Sequence, residues 1–281
     1  MIDATQMELA KKDLLQALNI SRQAQHKNSK RLKEIQAKEQ FVLDLIHAIR
    51  HRHPRMGTRK LLYEISPTLR QNGISIARDQ LFDLLRRENM LISPKKRQTR
   101  TTRSGLWRCP NLLKDTHVSA ICQAWVGDIT YLTLEVGFAY LVLLTDAFSR
   151  YIVGYNLSSS LIAEGAESAL KMGIQANKKM SLSGCIHHTD HGVQYTSNLV
   201  QNLLKKHHMK PSMGEVGNCY ENALAERMNG ILKQEYALDA LFVNVTDAQT
   251  SVEQAVYLYN FERPHTALGF RKPAEVHFDG K

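Results

Sequence analysis

Between residues 121 and 213 the apolar residues follow an order of segments that few folds accommodate. Three consecutive stretches have the character of β-strands, and the first, QAWVGDITYLTL at 123–134, alternates with a two-residue period. A helical stretch, a short strand (GCIHHTD, 184–190), a second helix and another strand (MKPSM, 209–213) follow, and then a third helix. Consecutive strands favour an antiparallel meander, whereas strands separated by helices add parallel neighbours. The order predicts an α/β fold with a mixed five-stranded sheet.

Three carboxylates occupy particular places in this order. Asp128 lies in the middle of the first strand, Asp190 ends the fourth, and Glu226 lies in the helix after the fifth. The order matches a ribonuclease-H-like fold, in which the first and fourth strands are neighbours and the late helix packs over that edge. The three acids would then converge and need a counter-charge. Their hard oxygen ligands suit Mg²⁺, or Mn²⁺ in its place, and such ions promote attack on a phosphodiester.

The helix that carries Glu226 shows a second polar position on the same face. Asn222, Glu226 and Lys233 are separated by steps of four and seven residues, which place them on one side of a helix. Asn218, with Glu221 three positions later, has the pattern of an N-terminal cap. The spacing predicts a basic side chain near the carboxylates.

The charge is divided unevenly between the two halves of the chain. Residues 1–110 hold 23 Lys and Arg against 10 Asp and Glu, and the remaining 171 residues hold 14 against 17, so the net charges are +13 and −3. A basic front half favours binding to a polyanion such as double-stranded DNA. A solvated basic surface is the alternative.

The front half has helical periodicity. We predict a helical DNA-binding region over residues 1–92, in which short helices around Asn72-Gly73 form a helix-turn-helix-like unit. An ordinary small helical bundle is the alternative. Ser75 is the predicted N-cap of the last helix. The residues predicted to face inward are Ile35, Phe41, Leu45, Ile49, Ile76, Leu81, Leu84 and Leu85.

A basic linker is predicted over residues 93–120, before a catalytic core at 121–281. Residues 93–111 carry six basic side chains and no acid, and they lack an apolar period. Phosphates attract such segments through counterion release, so this segment is a candidate DNA contact, although a plain linker would have the same composition. The predicted contacts are Lys95, Lys96, Arg97, Arg100 and Arg103.

Composition also argues against several classes of protein. No apolar run reaches the about 18 residues that cross a bilayer, and the N-terminus lacks a signal-peptide pattern, so we expect a cytoplasmic, nucleoid-associated protein without a membrane partner. The four cysteines form no CxxC pair, which favours reduced thiols. His47 and His51 have a zinc-like spacing, but no CxxC follows, so no zinc is expected.

Three further polar residues allow two interpretations each. His188 shares a strand face with Asp190 and would orient DNA or that carboxylate, or else pack in the core. Arg263, in YNFERPHTALGF, would contact a phosphate or pin the C-terminal segment to the core. Asp146, in TDAFSR, is better interpreted as a structural turn residue than as a further ligand.

Several motifs together carry a family resemblance. They are WVGDITYL, TDAFSRYIVGY, HHTDHGVQY, GNCYENALAERMNGILKQE and YNFERPHTALGFRKPAEV, with HPRMGTRKLLYEI and GISIARDQLFDLLRRENML upstream. The chain resembles the DDE transposases of bacterial insertion sequences that have a retroviral-integrase core, and more narrowly the second-frame product of the IS-three family. Thirty-five residues separate Asp190 from Glu226, as in that family, and Lys233 fills its basic position.

The resemblance implies a function and partners. Asp128, Asp190 and Glu226 would bind the metal, hydrolysis would free the 3′ ends of the element, and each 3′-OH would attack a second phosphodiester. Lys233 would contact DNA, and Asn222 would support the loop or the substrate. We expect a homo-oligomer on DNA, and fusion or partnership with an upstream-frame helix-turn-helix protein. The rival interpretations are a non-enzymatic DNA-binding regulator and a structure-specific nuclease without strand transfer.

Overall fold

The computed structural model describes residues 21–93, 109–114, 116–214 and 223–279. Its chain forms two compact units. Of the described residues, 21–51 and 61–91 belong to the first unit, and 52–60 join those from 92 onward in the second. No described helix combines the length and hydrophobicity needed to cross a membrane.

The first unit is helical. Its helices are α1 (Arg22–Arg52), α2 (Thr58–Gln71) and α3 (Arg78–Arg87), although the junction between α1 and α2 belongs to the second unit. The predicted inward face of α1 was wrong in part, because Ile35 is 39% exposed and the fully buried residues are Val42 and Ile46. Residues 41–46 contain several consecutive apolar side chains, so the sequence allows more than one inward face. The other buried residues are Leu43, Leu61, Ile65, Leu69, Leu81, Leu84 and Leu85.

A glycine ends α2 and allows the turn into α3. Gly73 has a φ of +67°, a left-handed conformation that glycine adopts without strain, and the Ile74 amide donates to the Leu69 carbonyl at 2.9 Å. The predicted cap at Ser75 was wrong, because α3 begins at Arg78 and the amide of Ala77 donates to Gln80 Oε1 at 2.9 Å. Two short helices with a glycine-containing connection are therefore present, and their binding to DNA stays a prediction.

The second unit contains the predicted mixed sheet. Its strands are β1 (Ala124–Leu134), β2 (Phe138–Asp146), β3 (Ile152–Ser158), β4 (Ile186–Thr189) and β5 (Lys210–Met213). Their order is β3-β2-β1-β4-β5, in which β1, β2 and β3 are antiparallel neighbours and β4 and β5 are parallel additions. The fold prediction is thus confirmed. A two-residue strand that the sequence did not indicate, β6 (Leu241–Phe242), pairs in parallel with the far end of β1.

Helices cover both faces of this sheet. They are α4 (Ala163–Ala176), α5 (Asn198–Lys206), α6 (Ala223–Glu235), α7 (Val245–Phe261) and α8 (Pro273–Phe278), with a 3₁₀ turn at Thr266–Leu268. Leu141 and Leu143 pack with α6 and α7, whereas Val142 and Leu144 pack with α4 and α5. This alternation is the two-residue period of a strand between two helical layers. The backbones approach closely at Gly154, where a Cβ would lie 2.1 Å from the carbonyl oxygen of Ala169.

The register leaves a notch along one side of β1. Residues 124–126 of β1 pair with β4, and Thr133 and Leu134 pair with β6. Between these pairs, residues 127–132 face no strand of the described chain on that side. Asp128 lies in this notch.

Candidate active site

Asp128 is held in the notch by the helix α6. The side chain of Asn229 on α6 is 6% exposed, and its Nδ2 donates to Asp128 Oδ2 at 2.8 Å. Burial and the negative charges of Asp190 and Glu226 raise the pKa of Asp128 to about 7, against the opposing effect of the Asn229 hydrogen bond. The described residues therefore bring the three predicted acids into one electrostatic cluster.

Asp190 and Glu226 reach the cluster from different elements. Asp190 immediately follows β4, and the amide of Gly192 donates to its Oδ1 at 3.0 Å. A Cβ at Gly192 would lie only 3.0 Å from that oxygen, so the close turn suits glycine. Glu226 lies in the first turn of α6, where a helix N-terminus favours negative charge. Each carboxylate is thus placed by its backbone.

The donor set fits a hard divalent cation. Carboxylate oxygens are the ligands that Mg²⁺ and Mn²⁺ prefer, and a buried acid surrounded by two others needs positive charge nearby. Among the described residues, no three His, Cys, Asp or Glu side chains lie in an arrangement that would hold a metal ion. The fit therefore rests on the chemistry of the donors and on their charge.

Lys233 lies near the same acids on α6. Its Nζ is 4.6 Å from the centre of the Tyr131 ring, a cation–π distance. Burial lowers the pKa of Lys233, and the charges of Asp239 and Asp128 oppose that shift. The predicted basic position is therefore within the electrostatic range of Asp128, and its contact with DNA stays a prediction.

The prediction of a DNA contact was wrong for His188. The side chain is fully buried on β4, and its Nδ1 lies 2.9 Å from Ser212 Oγ on β5. A side chain that is hydrogen-bonded inside the sheet has no access to a nucleic acid, and His188 lies in the core two residues before Asp190.

Arg263 is also internal, which contradicts its predicted phosphate contact. It is 3% exposed, and its Nε and Nη2 donate to Glu235 Oε2 and Oε1, each at 2.7 Å. The Nζ of Lys60 donates to Glu235 Oε1 at 2.8 Å. This buried ion cluster of Lys60, Glu235 and Arg263 ties the C-terminal segment to the end of α6, as the alternative interpretation proposed.

Asp146 has the structural role that its sequence context indicated. Its Oδ2 accepts from the amide of Cys122 at 2.7 Å, and its Oδ1 accepts from the amide and the hydroxyl of Ser149, each at 2.8 Å. The hydroxyl of Ser149 in turn lies 2.9 Å from Nδ1 of His277 on α8. Asp146 therefore fixes the turn after β2.

Sequence reasoning missed two residues beside the carboxylates. Asn229 lies three positions after Glu226, and this helical spacing was the available signal. Tyr195 is 2% exposed, and burial together with the charges of Asp190 and Asp128 raises the pKa of its hydroxyl well above the usual value. Nothing in its sequence context indicated this position.

Some predicted residues lie outside the described residues. They are Asn222, Lys95, Lys96, Arg97, Arg100 and Arg103, together with the predicted cap at Asn218 and Glu221.

Known proteins share both the core and most of the chain. The integrase core domain family matches residues 120–219, and a second integrase core domain family matches residues 207–273. An uncharacterized 31 kDa protein of insertion element IS600 from Shigella sonnei is 33% identical over 244 residues, covering 85% of this chain and 87% of that protein. A putative transposase of IS986/IS6110 from Mycobacterium tuberculosis (strain CDC 1551 / Oshkosh) is 31% identical, covering 74% and 78%.

A further relative matches almost from end to end, and solved structures match the core. The transposase InsF of insertion sequence IS3A from Escherichia coli K12 is 28% identical over 278 residues, covering 98% of this chain and 96% of that protein. The catalytic core domain of the HTLV-2 integrase in complex with magnesium aligns with a TM-score of 0.44 and 21% identity, covering 56% of this chain and 97% of that one. The chain belongs to the insertion-sequence transposases of the IS-three family, which have an integrase core domain.

Proposed function

We propose that this chain carries out the DNA transposition of its family through a divalent-cation site formed by Asp128, Asp190 and Glu226. Water would attack the phosphodiester at an end of the element, breaking its bond to the 3′ oxygen and freeing a 3′-OH. That hydroxyl would then attack a phosphodiester of the target, forming a new 3′-O–P bond and displacing a target 3′ oxygen. Magnesium is the expected ion, and manganese would substitute for it.

The observation that carries this proposal is the raised pKa of the buried acid Asp128. The acid is held in the notch of the sheet, and burial with two like charges raises its pKa to about 7. A site that is to ionise all three acids at neutral pH needs added positive charge, which favours a cation over a purely structural role.

The bound cation would supply charge stabilisation to the oxygens of the reacting phosphodiester. The residues of the chain prepare the ligands. Asn229 fixes Asp128 by donating to its Oδ2, and the amide of Gly192 fixes Oδ1 of Asp190. The helix α6 presents Glu226 from its first turn, two turns before Lys233. Hydrogen-bond donors that hold the ligating carboxylates in this way raise the affinity for the metal and fix the orientation of its ligands.

DNA contact is assigned to positive residues near and before the core. Lys233 would bind a phosphate beside the carboxylates, and Asn222 would support the loop or the substrate. The residues of the basic segment that would bind the backbone are Lys95, Lys96, Arg97, Arg100 and Arg103. The active form would be a homo-oligomer on DNA in the bacterial cytoplasm, with end recognition supplied by an upstream-frame helix-turn-helix protein.

The test is neutralisation of each acid without a change in shape. Asp128→Asn, Asp190→Asn and Glu226→Gln should each lower cleavage and joining in Mg²⁺ at least about 100-fold, because several kcal/mol of charge stabilisation are lost. Their affinity for DNA and their folding should stay near those of the wild type. Glu253→Gln, which neutralises an exposed acid on α7, is the matched control and should keep full activity. Near-normal strand transfer by one of the three variants removes that residue from the site.

A further inference from the structure

The first half of the helix α1 has no packed face. Its start is capped, since the Oγ of Ser21 accepts from the amide of Ala24 at 3.1 Å. Beyond this cap, every residue of the stretch 26–38, here called the exposed arm, is exposed to solvent. Within the described ranges, the first hydrogen bond from α1 to another element is made by Glu39, which accepts from Arg87 of α3 at 2.7 Å. The exposed arm therefore adds nothing to the core of the first unit.

The charge of the exposed arm is almost entirely positive. The arm holds five basic side chains and one acid, Glu34. Lys27, Arg31 and Lys38 are separated by steps of four and seven residues, so they share one side of the helix, and Lys30 lies beside them. Like charges three or four residues apart repel each other and destabilise a helix, and a bound polyanion would relieve this repulsion. The pattern therefore favours an anionic partner.

The neighbouring side of the exposed arm has little apolar surface. Its only large apolar residues are Leu32 and Ile35, and the same side of α1 continues into the buried Val42 and Ile46. A coiled coil needs apolar residues sustained over at least about three heptads, and a membrane-bound helix needs a continuous apolar face. Positive charge, rather than apolar surface, is thus the property that selects the partner of the arm.

Double-stranded DNA matches the exposed arm in charge and in shape. The duplex carries one negative charge per about 1.7 Å of its axis, and the cations from Lys27 to Lys38 extend over about 16 Å of helix, so several phosphates come within their reach. A helix with its side chains is about 10–12 Å across, close to the about 12 Å width of the major groove. Such an approach requires free flanks, and no other described element packs on the arm.

We propose that the exposed arm binds the phosphate backbone of double-stranded DNA through Lys27, Lys30, Arg31 and Lys38. These contacts are independent of base sequence, because they go to phosphates. The inference rests on the proposed function for the identity of the partner, DNA, but the contacts themselves need no divalent cation. They can therefore be measured without cleavage.

The experiment removes the charge of the arm in the full chain and compares this with equal removal of charge elsewhere. The arm variant combines Lys27→Gln, Lys30→Gln, Arg31→Gln and Lys38→Gln. The control variant replaces four exposed lysines of the second unit with Gln: Lys178, Lys179, Lys205 and Lys206. Affinity for a duplex of unrelated sequence is measured at several salt concentrations in chelator. Hydrogen exchange of the backbone amides is then measured with and without the duplex.

The arm variant should bind at least about 10-fold more weakly at low salt than the wild type. Its slope of log affinity against log salt should shrink by about 0.9 for each lost phosphate contact, and so by as much as about 3.6. The control variant should change the slope less. Both variants should unfold at the temperature of the wild type, because the replaced side chains are exposed. The duplex should slow hydrogen exchange at residues 26–38 in the wild type and not in the arm variant.

Each other result has a distinct meaning. Equal slopes in the arm and control variants overturn the inference and leave the proposed function intact. A second copy of the chain, rather than DNA, occupies the arm if Leu32→Gln with Ile35→Gln changes the oligomeric state and lowers the slope as much as the arm variant does, and this also overturns the inference. A wild type that binds DNA through the arm but does not cleave it in Mg²⁺ refutes the proposed function alone. A wild type without measurable affinity for the duplex refutes both.

Discussion

The two ends of the helix α6 place carboxylates in opposite electrostatic surroundings. At its first turn, Glu226 adds to the negative charges of Asp128 and Asp190, and the pKa of Asp128 rises to about 7. At its last residue, burial also raises the pKa of Glu235, but the hydrogen bonds and charges of Arg263 and Lys60 outweigh this effect and hold it at about 2. The helix α6 therefore packs at its first turn beside an acid of β1, Asp128, whose pKa is raised, and carries at its last residue an acid, Glu235, that is paired with two cations.

This difference separates a structural acid from a functional one. Both groups of acids are buried to a considerable extent, so desolvation acts on each in the same direction. What differs is how much positive charge the chain itself supplies. At Glu235 two cations form direct ion pairs with the acid, which stabilises the fold. At Asp128 the charge of Lys233 acts without preventing the rise of the pKa, so the structure leaves a place for a cation from solution.

The largest expected effect is on the free energy of unfolding, which should fall when Glu235 is neutralised and should stay the same or rise when Asp128 is neutralised. Glu235→Gln leaves Arg263 and Lys60 buried without a carboxylate, and the loss of one partner from a buried pair costs about 3–5 kcal/mol of the free energy of unfolding. Asp128→Asn removes a charge that its neighbours repel, so at pH 7 without divalent cation the protein should be equally or more stable. Denaturant unfolding in the presence of a chelator measures both.

A paired double variant sharpens this prediction. Replacing Glu235 and Arg263 together by Met should cost less than the sum of the two single replacements, because no buried charge of that pair is left alone. The comparison between the ends of α6 fails if Glu235→Gln and Asp128→Asn change the stability in the same direction and by similar amounts.

The pH dependence of stability should differ between the two ends. The folded pKa of Asp128 lies above its unfolded value of 3.8, so its contribution is full below about pH 4 and is lost as the pH rises through about 7. Relative to Asp128→Asn, the cation-free wild type should lose at most about 4 kcal/mol over this range. The folded pKa of Glu235 lies below its unfolded value of 4.5, so its contribution is present above that pH and is lost toward about pH 2.

Unfolding free energies of the wild type, Asp128→Asn and Glu235→Gln from pH 2 to pH 8, all in chelator, test this. If the unfolding free energies of the wild type and Asp128→Asn change in parallel between pH 4 and pH 8, the neighbours of Asp128 do not raise its pKa.

Much of the second unit could be predicted from the sequence, because its information is local and periodic. The alternation in 123–134 and the order of strands and helices determine the sheet, and that order places Asp128, Asp190 and Glu226 on neighbouring elements. The sixth strand has only two residues, too few to show a period.

The contacts that sequence reasoning misjudged at Arg263 and His188 are tertiary. Arg263 pairs with Glu235, 28 residues earlier, and His188 with Ser212, 24 residues later, so neither partner is visible from the local sequence. In a local sequence that contains aromatic residues, a buried arginine cannot be distinguished from a DNA-binding arginine. Asn229 and Tyr195 were missed for another reason, since an uncharged side chain leaves no trace in a charge pattern.

The basic segment at residues 93–111 shows the same lack of a counter-charge, but for positive side chains. Residues 93–111 carry six basic side chains and no acid, so the local sequence supplies no counter-charge there either. Replacing Lys95, Lys96, Arg97, Arg100 and Arg103 with Ala should weaken binding to unrelated DNA sequences about equally. The slope of log affinity against log salt should shrink by about 0.9 for each lost phosphate contact. Binding titrations at several salt concentrations measure this slope.

The control for this variant removes the same charge elsewhere. Five exposed lysines of the core serve for this purpose: Lys178, Lys179, Lys205, Lys206 and Lys210. Their replacement with Ala lowers the net charge equally and should change the slope less. Equal slopes in the two variants would mean that the affinity for DNA depends only on the net charge of the protein. The basic segment would then be only a linker.

The smallest expected effect belongs to Lys233, which lies between the two ends of α6. Its charge is placed over the ring of Tyr131, a contact worth about 0.5–2 kcal/mol for a partly buried cation, and this leaves the ammonium able to bind a phosphate. Lys233→Gln should therefore reduce the salt slope by about 0.9, the value of one contact, and lower the stability by less than about 2 kcal/mol. Tyr131→Leu removes the ring and keeps the charge, so it should cost similar stability and leave the slope unchanged. If instead Lys233→Gln lowers the stability and leaves the slope as in the wild type, Lys233 belongs with Arg263 among the structural cations, and the DNA contact beside the carboxylates must come from another residue.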